Sequence, residues 1–291
     1  MSHAGHKDAG HKVIFVLVDG MRDDAARRHL GYLEGLVEQG AGLRTRVQGI
    51  LPSMSRPCYE AILTGTPPLE NGTVGNDTVR LSKMEHLFQR LREAGKVSAV
   101  VAYYWISELF RRAPFNLTED IEQNNQIDSF HFGRFYFEDS FPDTHVFAQA
   151  EHLRLLHRPD FLLIHPMGVD DAGHKHGSES KQYQATVAKM GMMIARLLPG
   201  WLEAGYSVVV TSDHGMNPFG FHGGTDEGER VVPLYMFGPC LSATGVQDEL
   251  VHQTTLAHLV CQLMHINAAP SMTPFSEELY TRWFGKSVYK F

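Results

Sequence analysis

Short unbroken apolar runs alternate along the chain with longer stretches in which apolar residues recur every three or four positions. Residues 13–18 (VIFVLV) form a continuous, β-branched run, the pattern of a strand buried on both faces. Residues 97–102, 161–165, 206–211 and 232–237 repeat it. Residues 84–94, 144–157, 181–204 and 254–264 carry helical spacing, the first stopping at Gly95 and the third predicted to bend at Pro199. Strands alternating with helices predict an α/β fold, a mostly parallel central sheet with helices on both faces. At 291 residues the chain fits a single such domain, 1–291.

Residues 103–141 break the alternation. They are dense in aromatic side chains, from Tyr103, Tyr104 and Trp105 to Phe135, Tyr136, Phe137 and Phe141, and they carry Arg111, Arg112 and Arg134. This stretch is expected to be an inserted cap or lid. Its aromatics either pack an apolar part of a ligand or form the cap's own core. Its arginines either meet an anion or lie solvated.

Metal-ligand residue types cluster at or just past the predicted strand ends. Asp19 follows VIFVLV, Asp170 and His174 follow FLLIH, and Asp213 and His214 follow YSVVVTS, with His222 in the glycine-rich FGFHGG. In parallel sheets, ligands gather beyond the carboxyl ends of strands. Three Asp and three His suffice for two ions, and mixed imidazole and carboxylate suit Zn2+, with Mn2+ as the alternative. Asp170 has helical spacing to His174; its neighbour Asp171 is the other choice.

The segment LPSMSRPCYEAILTG runs from a proline-rich turn into a predicted helix with Pro57 near its start. Ser55 then sits at the helix N-terminus, where free N–H groups favour an anion. It is the candidate nucleophile. Ser53 is the alternative, and simple helix capping would explain either serine. Asn76, in TVGND, reads as a turn residue or as a donor to a phosphoryl oxygen.

The net charge is −7. No basic face is expected, so a nucleic-acid polymer is not an expected partner. A small anionic ester remains open, because bound cations dominate a site's local charge. Cys58, Cys240 and Cys261 are scattered, which predicts no disulfide framework and a cytoplasmic, reducing location. The opening MSHAGHKDAGHK, with His3, His6 and His11, is expected to be a frayed polar tail without a signal peptide. No run nears the roughly 18 apolar residues of a membrane span, so no membrane partner is expected. The oligomeric state stays open.

Taken together, VDGMR, PSMSRP with the following LTG and NGTVGN, DDAGHKHG, TSDHGM and HGGTDE resemble the alkaline phosphatase superfamily. Within it they are most similar to the nucleotide pyrophosphatase/phosphodiesterase (type I phosphodiesterase) branch, over most of the chain. The resemblance implies one zinc on Asp170, His174 and His222, and a second on Asp19, Asp213 and His214 with the Ser55 hydroxyl. It implies a covalent phosphoserine intermediate on Ser55. Asn76 and the backbone N–H of Arg56 would be the donors to phosphoryl oxygens. The implied activity is a two-metal phosphodiesterase or nucleotide pyrophosphatase acting on a small-molecule phosphate ester. Alternatives are a phosphonoacetate-hydrolase-like or phosphomonoesterase activity at the same site, a sulfatase, or a catalytically silent metal-binding module. The sulfatase signature needs Arg where Tyr59 stands, and keeping both Ser55 and Asn76 argues against a silent module. Many relatives have Thr where Ser55 stands, and Cys58 and Tyr59 replace an Asn-His pair, so the substrate is not implied. Cationic residues within the motifs are few (Arg22, Arg56 and Lys175), which favours a diester over a doubly charged monoester.

Overall fold

The computed structural model describes residues 12–124 and 129–285. His3, His6 and His11, expected in a frayed tail, lie outside the described residues. Nine strands form one sheet: β1 (Lys12–Val18), β2 (Leu43–Gln48), β3 (Ser98–Tyr103), β4 (Glu122–Asn124), β5 (Phe132–Tyr136), β6 (Phe161–Ile164), β7 (Tyr206–Ser212), β8 (Val231–Phe237) and β9 (Gly245–His252). Their order is β4-β5-β3-β6-β1-β7-β8-β2-β9. Seven strands point one way, while β4 and β8 run against them. The sheet is therefore mostly parallel, as expected. All five predicted runs are strands, although β8 enters antiparallel beside β7.

The helices are α1 (Asp23–His29), α2 (Gly31–Glu38), α3 (Ser55–Thr64), α4 (Pro68–Asn71), α5 (Leu87–Glu93), α6 (Trp105–Phe110), α7 (Asp143–His157), α8 (Gly168–His176), α9 (Lys181–Glu203), α10 (Glu227–Arg230), α11 (Leu256–Leu263) and α12 (Glu277–Phe284). Side chains of β1 alternate between two cores. Val13, Phe15 and Leu17 pack with α3, α5, α6, α11 and α12. Ile14, Val16 and Val18 pack with α1, α2, α7 and α9. Both faces are covered, which is why the central strands read as unbroken apolar runs. The long α9 continues through Pro199 as one helix.

The segment 103–141, expected as an inserted cap, contributes α6, β4 and β5 instead of standing apart. β5 pairs in parallel with β3, and β4 closes that edge of the sheet. Its aromatics mostly pack on one another and on the cores, as Tyr103 does on Tyr136 and Phe130 on Phe135.

Gly20, just past β1, has φ +71°, and a Cβ there would lie 2.8 Å from Asp170 Cα. Only glycine lets α8 come this close to the end of β1. Gly20→Ala is expected to cost about 1–3 kcal/mol of stability by forcing both a strained φ and this contact. Urea unfolding measures it, and an unchanged midpoint would show that α8 can yield.

Candidate metal centre

The carboxyl ends of adjacent strands β1 and β7 deliver Asp19 and Asp213. They are tied together: Gly20 N–H donates to Asp213 Oδ1 at 3.1 Å, and Met21 N–H donates to Ser212 Oγ at 2.9 Å. β6, on the other side of β1, leads into α8, whose first turn carries Asp170 and whose last carries His174. One helical turn separates them, and His174 Nε2 lies 3.3 Å from Asp170 Oδ2. Asp171 points elsewhere, accepting from Lys175 Nζ at 2.8 Å. Of the two neighbours, Asp170 faces the site.

Three imidazoles converge there, each with Nδ1 on a backbone carbonyl. His214 Nδ1 lies 2.8 Å from Gly215 O, His174 Nδ1 lies 2.8 Å from Gly220 O, and His222 Nδ1 lies 2.9 Å from Ser53 O. A carbonyl oxygen only accepts, so each Nδ1 carries the proton and donates it. Each Nε2 is thereby turned toward the other imidazoles and the carboxylates. His222 Nε2 is 3.2 Å from His174 Nε2. His214 Nε2 is 3.3 Å from Asp19 Oδ1 and 3.2 Å from Asp213 Oδ2. Asp19 Oδ1, Asp170 Oδ1 and Asp213 Oδ2 are buried without a hydrogen-bond donor. Three buried carboxylate oxygens without a hydrogen-bond donor, gathered beside three imidazole Nε2 atoms, are a donor set that fits metal cations.

Ligand atoms of Asp19, Asp213 and His214 lie within 4.8 Å of one another, matching one of the expected sets. The same holds for Asp170, His214 and His222. The expected set of Asp170, His174 and His222 also meets, through the 3.3 Å and 3.2 Å contacts above and a 3.8 Å approach of His222 to Asp170 Oδ1. His214 thus stands between the two sets.

Electrostatics show the same crowding. Burial and the Asp19 charge push the Asp170 and Asp213 carboxyls up. Burial also raises Asp19, but hydrogen bonds and charge from His165 and His214 outweigh it and hold Asp19 below its ordinary value. Burial lowers His214, yet the Asp213 charge and the Asp19 hydrogen bond carry it to about 10. The Asp170 hydrogen bond carries His174 to about 9. Burial, then the His214 charge, takes His222 down to about 3. A divalent cation relieves this repulsion and displaces the imidazole protons.

Ser55 opens α3, and its Oγ lies 3.0 Å from His214 Nε2. The N-cap of α3 is Met54, so neither serine caps the helix. Ser53 Oγ donates to Gly224 O at 3.0 Å and accepts from Gly223 N–H at 3.1 Å, fastening the His222 loop. The Arg56 backbone N–H, expected to face a phosphoryl oxygen, instead donates to Asn76 Oδ1 at 3.0 Å.

Two residues escaped the sequence reading. His165 and Tyr59 are fully buried against Asp19. Tyr59 OH donates to Asp19 Oδ2, and His165 Nε2 lies 3.3 Å from the same oxygen. The rings meet edge-on at 4.8 Å. Oδ2 is thereby occupied and Oδ1 is left for the pocket. A histidine ending an apolar strand and a tyrosine inside a helix carry no spacing signal for this role.

The family model of type I phosphodiesterase/nucleotide pyrophosphatase matches residues 13–234. The chain belongs to that family. It is 26% identical to GPI ethanolamine phosphate transferase 2 of Kluyveromyces lactis over 233 residues, covering 77% of this chain and 28% of that protein. It is 25% identical to the catalytic subunit of mouse GPI ethanolamine phosphate transferase 3 over 277 residues, covering 87% of this chain and 24% of that one. The chain thus spans about a quarter of the length of these curated relatives. Murine ectonucleotide pyrophosphatase/phosphodiesterase 5, solved as an inactive variant in complex with AMP, superposes with a TM-score of 0.72 at 15% identity. That match covers 94% of this chain and 99% of the other, and it shows the shared fold.

For this family member, Tyr59→Phe and His165→Gln are each expected to weaken divalent-cation binding about 10–100-fold by freeing Asp19 to turn. Equilibrium dialysis with zinc and manganese measures this. Wild-type affinity in both variants would exclude a role for the two side chains in orienting Asp19.

Proposed function

We propose that the chain is a zinc-dependent phosphodiester hydrolase working through a phosphoserine on Ser55. Asp19, Asp213 and His214, with the Ser55 oxygen, would hold one zinc; Asp170, His174 and His222 would hold the other. Bound there, the two ions would favour the serine alkoxide and neutralise charge on the phosphoryl oxygens. The Ser55 Oγ loses its proton and attacks phosphorus in line, the bond from phosphorus to one alkoxy group breaks, that group takes up a proton and leaves as the alcohol, and the phosphoryl group with its remaining ester substituent stays on Oγ. Water then cleaves the phosphoserine and restores the hydroxyl. With its Oδ1 engaged by the Arg56 N–H, Asn76 has Nδ2 left to donate to a phosphoryl oxygen.

The observation that favours a diester is the state of the nearby cations. Arg22 is paired with Asp24 at 2.8 Å, Arg56 with Glu108 at 2.7 Å and Lys175 with Asp171 at 2.8 Å. Each of these three motif cations is thus already held by a carboxylate, which favours a substrate without a second charge. The transferases among the relatives support a second reading, in which an alcohol replaces water in the second half-reaction.

The zinc-loaded chain is expected to cleave bis-p-nitrophenyl phosphate in preference to p-nitrophenyl phosphate and phosphonoacetate. A preference for either of the latter two would overturn the diester assignment. Added glycerol, as an acceptor alcohol, divides the two readings: a transferase passes most of the phosphoryl group to glycerol, and a hydrolase passes it to water. Ser55→Ala should abolish turnover, and Asn76→Ala should slow it about 10²–10³-fold. Steady-state kinetics at unchanged thermal stability measures both, and a wild-type rate for Ser55→Ala would sink the covalent scheme.

A further inference from the structure

Arg56 follows the nucleophile directly, and its side chain is almost wholly buried. Its backbone N–H donates to Asn76 Oδ1 at 3.0 Å, and its Nε donates to the Asn76 carbonyl at 3.0 Å. One residue therefore grips both the side chain and the main chain of Asn76. The far end of the guanidinium is itself held. Nη2 donates to Glu108 Oε2 at 2.7 Å, and the guanidinium carbon lies 4.6 Å from the centre of the Trp105 ring. Glu108 Oε1 accepts from the Phe115 N–H at 3.0 Å. Trp105 and Glu108 both belong to α6, in the segment expected as a cap.

Asn76 needs such a grip. It lies in the stretch between α4 and α5, where no helix or strand fixes the backbone. A donor that acts on a phosphoryl oxygen must be held to within about 0.5 Å of its working position. The guanidinium suits the task because its donors leave a rigid plane at fixed angles, and one plane can serve Asn76 and Glu108 together. A lysine ammonium on a flexible stem cannot reproduce that geometry.

We propose that Arg56 is a positioning residue: it sets the Asn76 amide relative to Ser55, and Glu108 of α6 in turn sets Arg56. The inference rests on the reading of Asn76 as an oxygen donor. It gives α6 influence over the reaction without contact with the substrate.

Arg56→Lys keeps the buried charge opposite Glu108 and the backbone N–H bond to Asn76 Oδ1, and it loses the Nε bond that holds the Asn76 carbonyl. The zinc-loaded variant should lose about 10–100-fold in kcat on bis-p-nitrophenyl phosphate, with little change in KM. In an Asn76→Ala background the same substitution should cost less than about threefold, because its route is already cut. Amide hydrogen exchange of residues 74–78 should accelerate in Arg56→Lys at an unchanged Tm. Equal losses in both backgrounds, a wild-type rate for Arg56→Lys, or unchanged exchange would each overturn the proposal. If Asn76→Ala alone kept its full rate, the oxygen-donor reading would fall. Exchange alone would then decide whether Arg56 fixes the turn.

Discussion

Three carboxylates, Asp19, Asp170 and Asp213, are gathered in the interior with little water to separate their charges. Like charges in a poorly solvated space repel strongly, and each is raised or held down according to what its neighbours offer. The surrounding structure exists to keep them together. Tyr59 and His165 quiet one oxygen of Asp19, the Gly20 amide steadies Asp213, and His174 lies against Asp170. The remaining oxygens have no donor of their own. The cluster favours positive charge beside it, and the raised His214 and His174 imidazoles already supply some.

The sheet explains why this can be built. Neighbouring parallel strands end at the same level, so the residues that follow β1 and β7 arrive side by side with no further design. α8 comes close because Gly20 has no side chain to hold it off. The imidazoles are turned by backbone carbonyls, which belong to loops whose own course is fixed by Ser53 and by the Asn217 side chain, an acceptor for the Phe219 and Phe221 amides. Placement is thus delegated: strands set position, loops set orientation.

That division also governs what could be read from the sequence. β1, β3, β6, β7 and β8 were legible because burial on both faces leaves an unbroken apolar run. β2 was not, since Arg44 and Arg46 interrupt it, and Arg44 is buried only because Asp23 and Glu34 meet it at 2.6 and 3.1 Å. β9 lies at an edge, with exposed positions alternating along it. β4 and β5 were hidden in a stretch so aromatic that it resembled a separate cap. In the site, the six Asp and His candidates stood out because residue type and strand ends coincide. Which nitrogen each imidazole offers was invisible, because the partner is a carbonyl and every residue has one. The role of Arg56 was hidden for a similar reason: its partners, Asn76 and Glu108, are defined by space and not by spacing.

The pocket draws on positions from 19 to 222, and its first and last segments are neighbours through β1 and β7. During synthesis the early half of that pairing must wait for the late half. A nascent chain that has emerged only through α8 holds Asp19, Ser55, Asp170 and His174 but has no β7 to bring Asp213 and His214 beside them. Any ion captured at that stage would meet a different and poorer set of atoms. Closure of the centre therefore waits on the pairing of β1 with β7, one of the long-range pairings of the sheet, and anything that binds only the finished pocket favours its completion.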